Sequence, residues 1–90
     1  MLTPVTTKQF QKDVKRAKNQ GRKIEKLKHI MTMLVNEEPL PAKNRPHKLT
    51  GDFNHHHECH ITPDWLLIYK IGKKEVIFER AGSHSELFKK

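Results

Sequence analysis

Residues 65–82 read Trp65-Leu66-Leu67-Ile68-Tyr69-Lys70-Ile71-Gly72-Lys73-Lys74-Glu75-Val76-Ile77-Phe78-Glu79-Arg80-Ala81-Gly82, and this stretch sets the architecture. Trp65 to Ile71 is rich in β-formers and almost continuously apolar, the pattern of a central strand. Gly72-Lys73-Lys74 is a hairpin loop with Gly as its permissive residue. Glu75 to Ala81 returns as the next strand, with either Val76 and Phe78 or Ile77 turned inward, and Gly82 ends it. Upstream, Phe53 to Ile61 predicts a strand, and Thr62-Pro63-Asp64 a tight turn into Trp65. Three strands joined by short turns make an antiparallel meander. Ser83 to Phe88 follows as a short tail, a single helical turn capped by Ser83.

Before Gly51 the period of the apolar residues is 3.6 rather than 2. Phe10, Val14 and Ala17 recur at helical spacing between Thr7 and Gln20, with Lys8, Lys12, Lys15 and Arg16 on the opposite side. Gly21 breaks the pattern. A second helix, Arg22 to Asn36, puts Ile24, Leu27, Ile30, Met31 and Leu34 on one stripe, and Arg22, Lys26 and His29 facing away. Two amphipathic helices across a tight Gly turn form an αα-hairpin. Residues 2–5 allow a short strand, and Pro39, Pro41 and Pro46 make Glu37 to Pro46 an extended connection. The fold class is α+β. Residues 1–90 form one domain, with a basic helical hairpin in 1–36 packed on a small antiparallel sheet in 47–88.

Composition narrows the class of function. Ninety residues allow one domain, because domains cluster at roughly 100 to 150 residues. Apolar residues make up 34%, so the core is small. The longest apolar run, Trp65 to Tyr69, is far short of the roughly 20 residues that span a bilayer. Met1 to Phe10 lacks the pattern of a signal peptide. Cys59 is the sole cysteine, which excludes an intrachain disulfide and fits a reducing compartment. A cytoplasmic protein without a membrane partner is expected. The formal charge is +8, and residues 1–48 carry all of the excess, with 12 Lys or Arg against four acids. Residues 49–90 balance six against six and hold five of the seven histidines. One half is suited to attract an anion, the other to exchange protons.

Antiparallel strands alternate direction, so His60, Asp64 and Arg80 fall at the same end of the meander, with His84 four residues beyond Arg80. His47, leading into Leu49-Thr50-Gly51, is a third imidazole. This set suits RNA cleavage by attack of a ribose 2′-hydroxyl on its own phosphate, which needs a base, an acid and a cation. By spacing alone the signal is weak, since His, Asp and Arg are common at loop ends.

Longer blocks carry a resemblance. Pro46-His47-Lys48-Leu49-Thr50-Gly51, then Glu58-Cys59-His60-Ile61-Thr62-Pro63-Asp64-Trp65-Leu66-Leu67-Ile68-Tyr69, then Phe78-Glu79-Arg80-Ala81-Gly82-Ser83-His84-Ser85-Glu86-Leu87-Phe88 resemble the YafQ family, bacterial type II toxins of the RelE superfamily. The likeness extends to Phe10-Gln11-Lys12-Asp13 and Pro39-Leu40-Pro41. It implies a RelE-like fold and a ribosome-dependent mRNA endoribonuclease without metal or cofactor. It also implies silencing by a cognate antitoxin, with operator DNA reached only through the antitoxin complex. Carried over residue by residue, it implies His84 as general acid, His60 as general base, and Asp64 as orienting or sharing the base role. Arg80 would stabilise phosphoryl charge, Phe88 would stack on a nucleobase, and His47 would contact phosphate or assist proton transfer. Lys8, Lys12, Lys15 and Arg16 would dock on ribosomal RNA.

One stretch departs from the family. Between Gly51 and His60 the family usually shows a Trp, a small residue, an aromatic and a basic residue, where this chain has Phe53, His55, His56 and His57. If Arg is usual at the position of His57, a titratable RNA contact replaces a permanent charge, and activity should fall as pH rises.

Plainer readings stand beside these. His55, His57 and Cys59 share one strand face and His56, Glu58 and His60 the other, but no ligand spacing supports a zinc site. Trp65 and Tyr69 read as core more than as RNA-stacking residues, and Cys59 as a buried apolar residue. Arg80 and Asp64 would form an ion pair. Other functions compatible with the fold class are a ParE-like gyrase inhibitor, which lacks the His60, Asp64, Arg80 and His84 set, and a plain RNA-binding module.

Overall fold

The computed structural model describes residues 1–49 and 55–88. Its elements are β1 (Thr3–Thr6), α1 (Lys8–Asn19), α2 (Ile24–Val35), a 3-10 turn (Ala42–Asn44), β2 (His47–Lys48), β3 (His57–Thr62), β4 (Trp65–Ile71), β5 (Glu75–Gly82) and α3 (His84–Leu87). Thr50, Gly51 and the first two residues of the strand expected from Phe53 lie outside the described residues.

The helices start and stop for identifiable reasons. Thr7 caps α1, its hydroxyl accepting from the Phe10 amide at 2.9 Å. Gly21, at φ +78°, ends α1 in a Schellman motif, with the Arg22 amide on the Ala17 carbonyl and the Gly21 amide on the Lys18 carbonyl. Ser83 and Glu86 form a reciprocal capping box that starts α3.

The meander β3-β4-β5 is present, with Trp65 to Ile71 as the middle strand and Val76 and Phe78 fully buried. Yet the sheet is mixed and five-stranded, not small and antiparallel. Its order is β1-β5-β4-β3-β2, and β1 pairs parallel with β5, Thr3 against Glu75 through Thr6 against Phe78. A parallel pair needs a long connection, and here nearly the whole chain supplies it. The proline-rich connection is not wholly extended, since it holds the 3-10 turn and ends in β2. Asn44, buried in that turn, donates to the His60 carbonyl at 2.7 Å and so ties the connection to β3.

Both helices cover one sheet face. Phe10, Ala17, Leu27, Ile30 and Leu34 pack there against Cys59, Ile61, Trp65, Leu67, Tyr69, Val76, Phe78 and Ala81. On the other face a smaller cluster gathers Leu66, Ile68 and Leu87, with Leu49 and Phe88 against it. Trp65, Tyr69 and Cys59 are therefore core residues. Burial and the charge of Glu58 push the Cys59 thiol up to about 12, which suits an inert buried residue. Among the described residues no helix is long and apolar enough to cross a membrane.

Candidate active site

Strand register assembles the site. His60 on β3 faces Leu66 on β4, which faces Gly82 on β5. One step further along, His47, Glu58, Ile68 and Arg80 form a row across four strands. Cross-strand partners share a face, and Leu66 and Ile68 belong to the cluster beneath Leu87 and Phe88. So His47, Glu58, His60 and Arg80 lie on the face away from the two long helices. His84 opens α3 two residues after Gly82, and its ring lies 4.9 Å from that of Phe88.

Acceptor geometry assigns ring protons. His60 Nδ1 lies 3.3 Å from the Pro63 carbonyl, which can only accept, so in the neutral ring Nδ1 carries the hydrogen and Nε2 the lone pair. A free lone pair on Nε2 is what a base requires. His47 differs, because its Nδ1 meets the Arg45 carbonyl at 2.8 Å and its Nε2 meets Glu58 Oε1 at 3.2 Å. Glu58 is buried, and its Oε2 has no hydrogen-bond partner among the described residues.

Asp64 does not pair with Arg80. It is exposed in the turn, accepting from the Thr62 hydroxyl at 3.1 Å with Arg22 at 3.7 Å. The His60 ring meets the Pro63 carbonyl, one residue before Asp64. Arg80 turns to Asp13 on α1, donating from Nε at 2.8 Å and Nη2 at 3.3 Å. Arg16, expected on the outer basic face, also turns inward. It bridges Asp13 at 3.2 Å and Glu86 at 3.3 Å, whereas Lys8, Lys12 and Lys15 are exposed. Arg22 does not face away either, because its guanidinium lies over Trp65, 5.5 Å from the ring centroid.

His57 stacks on Tyr69, ring centroids 5.5 Å apart, on the opposite face from Glu58 and His60. Burial holds its imidazole below the usual histidine range, and Lys48 and His56 push the same way. A discharged His57 at neutral pH moves any charge-dependent contact below neutrality. The unfolded chain, with an unperturbed His57, binds the proton more readily than the folded one. This residue's stabilising contribution is therefore complete above about pH 6.5 and is lost as pH falls. His57→Phe, which keeps the stack without titrating, is expected to flatten the decline in Tm between about pH 7 and pH 5. Parallel Tm curves for the two proteins would refute this.

Sequence reading misses two acids. Asp13 occupies an inward position between Phe10 and Ala17, and a charge on an apolar stripe is the available signal. Glu58 shares the strand face of His60 by simple alternation, but its pairing with His47 depends on β2. Among the described residues no group of three or more His, Cys, Asp or Glu side chains is arranged to hold a metal ion.

Several known proteins of similar sequence and shape are toxins. A profile described as "Bacterial toxin of type II toxin-antitoxin system, YafQ" matches residues 2–89. The mRNA interferase toxin YafQ of Escherichia coli K12 is 44% identical over 81 residues, covering 89% of this chain and 88% of that protein. The crystal structure of YafQ from E. coli BL21(DE3) superposes with a TM-score of 0.93 at 39% identity, covering 98% and 99% of the two chains. YafQ in the E. coli DinJ-YafQ toxin-antitoxin complex matches with a TM-score of 0.90 at 41% identity, covering 97% of each chain. The RelE-like fold is consistent with these matches, and the chain belongs to the YafQ family of bacterial type II toxin–antitoxin toxins.

Proposed function

We propose that this protein is an mRNA interferase, an endoribonuclease that cuts mRNA in the ribosomal A site in the cytoplasm. The observation that carries the reading is the convergence of His60, the His47–Glu58 pair and Arg80 on one sheet face beneath His84 and Phe88. The ribose 2′-hydroxyl attacks the adjacent phosphorus while His60 Nε2 takes its proton. The bond from phosphorus to the 5′-oxygen breaks as His84 protonates that oxygen, leaving a 2′,3′-cyclic phosphate and a 5′-hydroxyl. Arg80 and the His47 ring face the charge that grows on the phosphoryl oxygens. Phe88 stacks on a nucleobase.

Exposed Lys8, Lys12 and Lys15, with the other basic residues of the first half, supply docking to ribosomal RNA. A cognate antitoxin is the second partner, as DinJ is in the E. coli complex. The test is to express the chain in growing bacteria and map mRNA 5′-ends. New ends in frame with codons, absent from purified RNA treated without ribosomes, are expected. Growth arrest with no new ends would instead favour a non-catalytic toxin such as a gyrase inhibitor.

A further inference from the structure

Asp13 is the most buried charged side chain of the described residues, and nothing in the cleavage scheme uses it. Its carboxylate accepts from five donors. These are Arg80 Nε at 2.8 Å and Nη2 at 3.3 Å, the Ala81 amide at 3.0 Å, Gln9 Nε2 at 3.2 Å and Arg16 Nη2 at 3.2 Å. A buried carboxylate is tolerable only when paired and hydrogen-bonded, and this one is saturated. The backbone explains its place. β1 stops at Thr6, opposite Phe78, so β5 beyond that point has an open edge. α1 runs along that edge, and Asp13 satisfies the Ala81 amide that a longer β1 would have paired.

Edge closure accounts for one of the five donors but not for the arginine. A guanidinium is a rigid plane with a side edge, Nε and Nη2, and an end that includes Nη1. Asp13 takes the side edge of Arg80. Nη1 makes no hydrogen bond among the described residues, and the Arg80 side chain is 25% exposed. Arg80 thus keeps a free donor end, and its place in the strand is on the face that carries His60 and Glu58. Arg16 braces Asp13 from the other side, itself held by Glu86. Their crossing over β5 is close. A Cβ on Gly82 would stand 3.0 Å from both Arg16 Nη2 and Glu86 Oε1, a tight contact that glycine avoids.

We infer that Asp13 is a positioning residue for the reaction: it locks the Arg80 guanidinium by its side edge so that the remaining end is pre-aimed at the scissile phosphate. An arginine free to rotate would lose that freedom on reaching the transition state, and fixing it beforehand removes the loss from the barrier. The inference rests on the nuclease reading above.

The test is single-turnover cleavage of mRNA on programmed ribosomes by wild type, Asp13→Asn, Arg80→Ala and the double variant. Asp13→Asn keeps the shape and one acceptor while removing the charge. It is expected to slow cleavage at saturating toxin about tenfold, with the half-saturating toxin concentration within about twofold of wild type. In the Arg80→Ala background the same substitution is expected to change the rate less than about twofold, because Asp13 acts through Arg80. Losses that multiply, or an Asp13→Asn enzyme as fast as wild type, would overturn the inference. Should Asp13→Asn fail to fold, nitrogen NMR of the wild-type protein decides instead. Separate Nη signals for Arg80 signify the locked fork, and a single averaged signal refutes it. If wild type leaves mRNA intact on the ribosome, the nuclease reading falls and this one with it; if Arg80→Ala cuts at the wild-type rate, the inference falls while the nuclease reading stands. Failure confined to Asp13→Asn leaves the nuclease reading standing.

Discussion

His84→Ala is expected to slow mRNA cleavage on programmed ribosomes by about 10²- to 10⁴-fold while leaving Tm within a few degrees of wild type. The magnitude is what one positioned proton donor contributes. The unchanged Tm follows from local structure. His84 is exposed at the first position of α3, and the turn is held without it by the Ser83–Glu86 capping box. Leu87, not His84, anchors the turn in the apolar cluster. Alanine is the best helix former, so the position accepts it. Substitution takes away the imidazole that packs 4.9 Å from the Phe88 ring, a pairing at the exposed end of the turn. Cleavage rate and Tm measured together check this. Cleavage at the wild-type rate would remove His84 from the acid role, and a fall in Tm of many degrees would assign it to folding instead.

Trp65→Ala is expected to destabilise the protein by about 3–5 kcal/mol, the usual cost of emptying a large aromatic site. Domains of this size have about 5–15 kcal/mol in hand, so the loss takes a large fraction of the total and should lower Tm by many degrees. Trp65 begins the central strand, is 1% exposed and lies in the helix-side core, with Arg22 over its ring. Its indole Nε1 is buried and has no hydrogen-bond partner among the described residues. Trp65→Phe removes that unpaired donor along with some apolar area, so the two effects oppose each other. A loss of only about 1 kcal/mol is expected for the phenylalanine variant, with cleavage retained. Urea unfolding of the three proteins measures both values. A stable Trp65→Ala protein that no longer cuts mRNA would show that the indole meets RNA rather than the core.

Local pattern makes much of this molecule legible. The 3.6 period places Phe10, Leu27, Ile30 and Leu34 in the core, and Gly21 marks the break between helices. The run from Trp65, the turn at Thr62-Pro63-Asp64 and the loop at Gly72-Lys73-Lys74 locate two strands and their connections. Strand alternation also puts Glu58 and His60 on one face, away from Cys59. The blocks around His47, His60 and Arg80 carry the family likeness, which the matching toxins bear out.

What the pattern leaves open concerns partners distant in the chain. Proximity at the sheet end pairs Arg80 with Asp64, yet Arg80 binds Asp13, 67 positions away. Helical angle alone puts Arg16 on the solvent face, but its long side chain swings back to Glu86 across β5. β1 is readable as a strand but not as the parallel neighbour of β5, because a four-residue segment carries no record of the edge it will join. Periodicity in a sequence encodes the face each residue presents, and that suffices for the elements and the core. Which face meets which, and which charge closes which edge, depends on packing among segments brought together only when the chain folds. The pairs Asp13 with Arg80 and Glu58 with His47 therefore exist only in three dimensions.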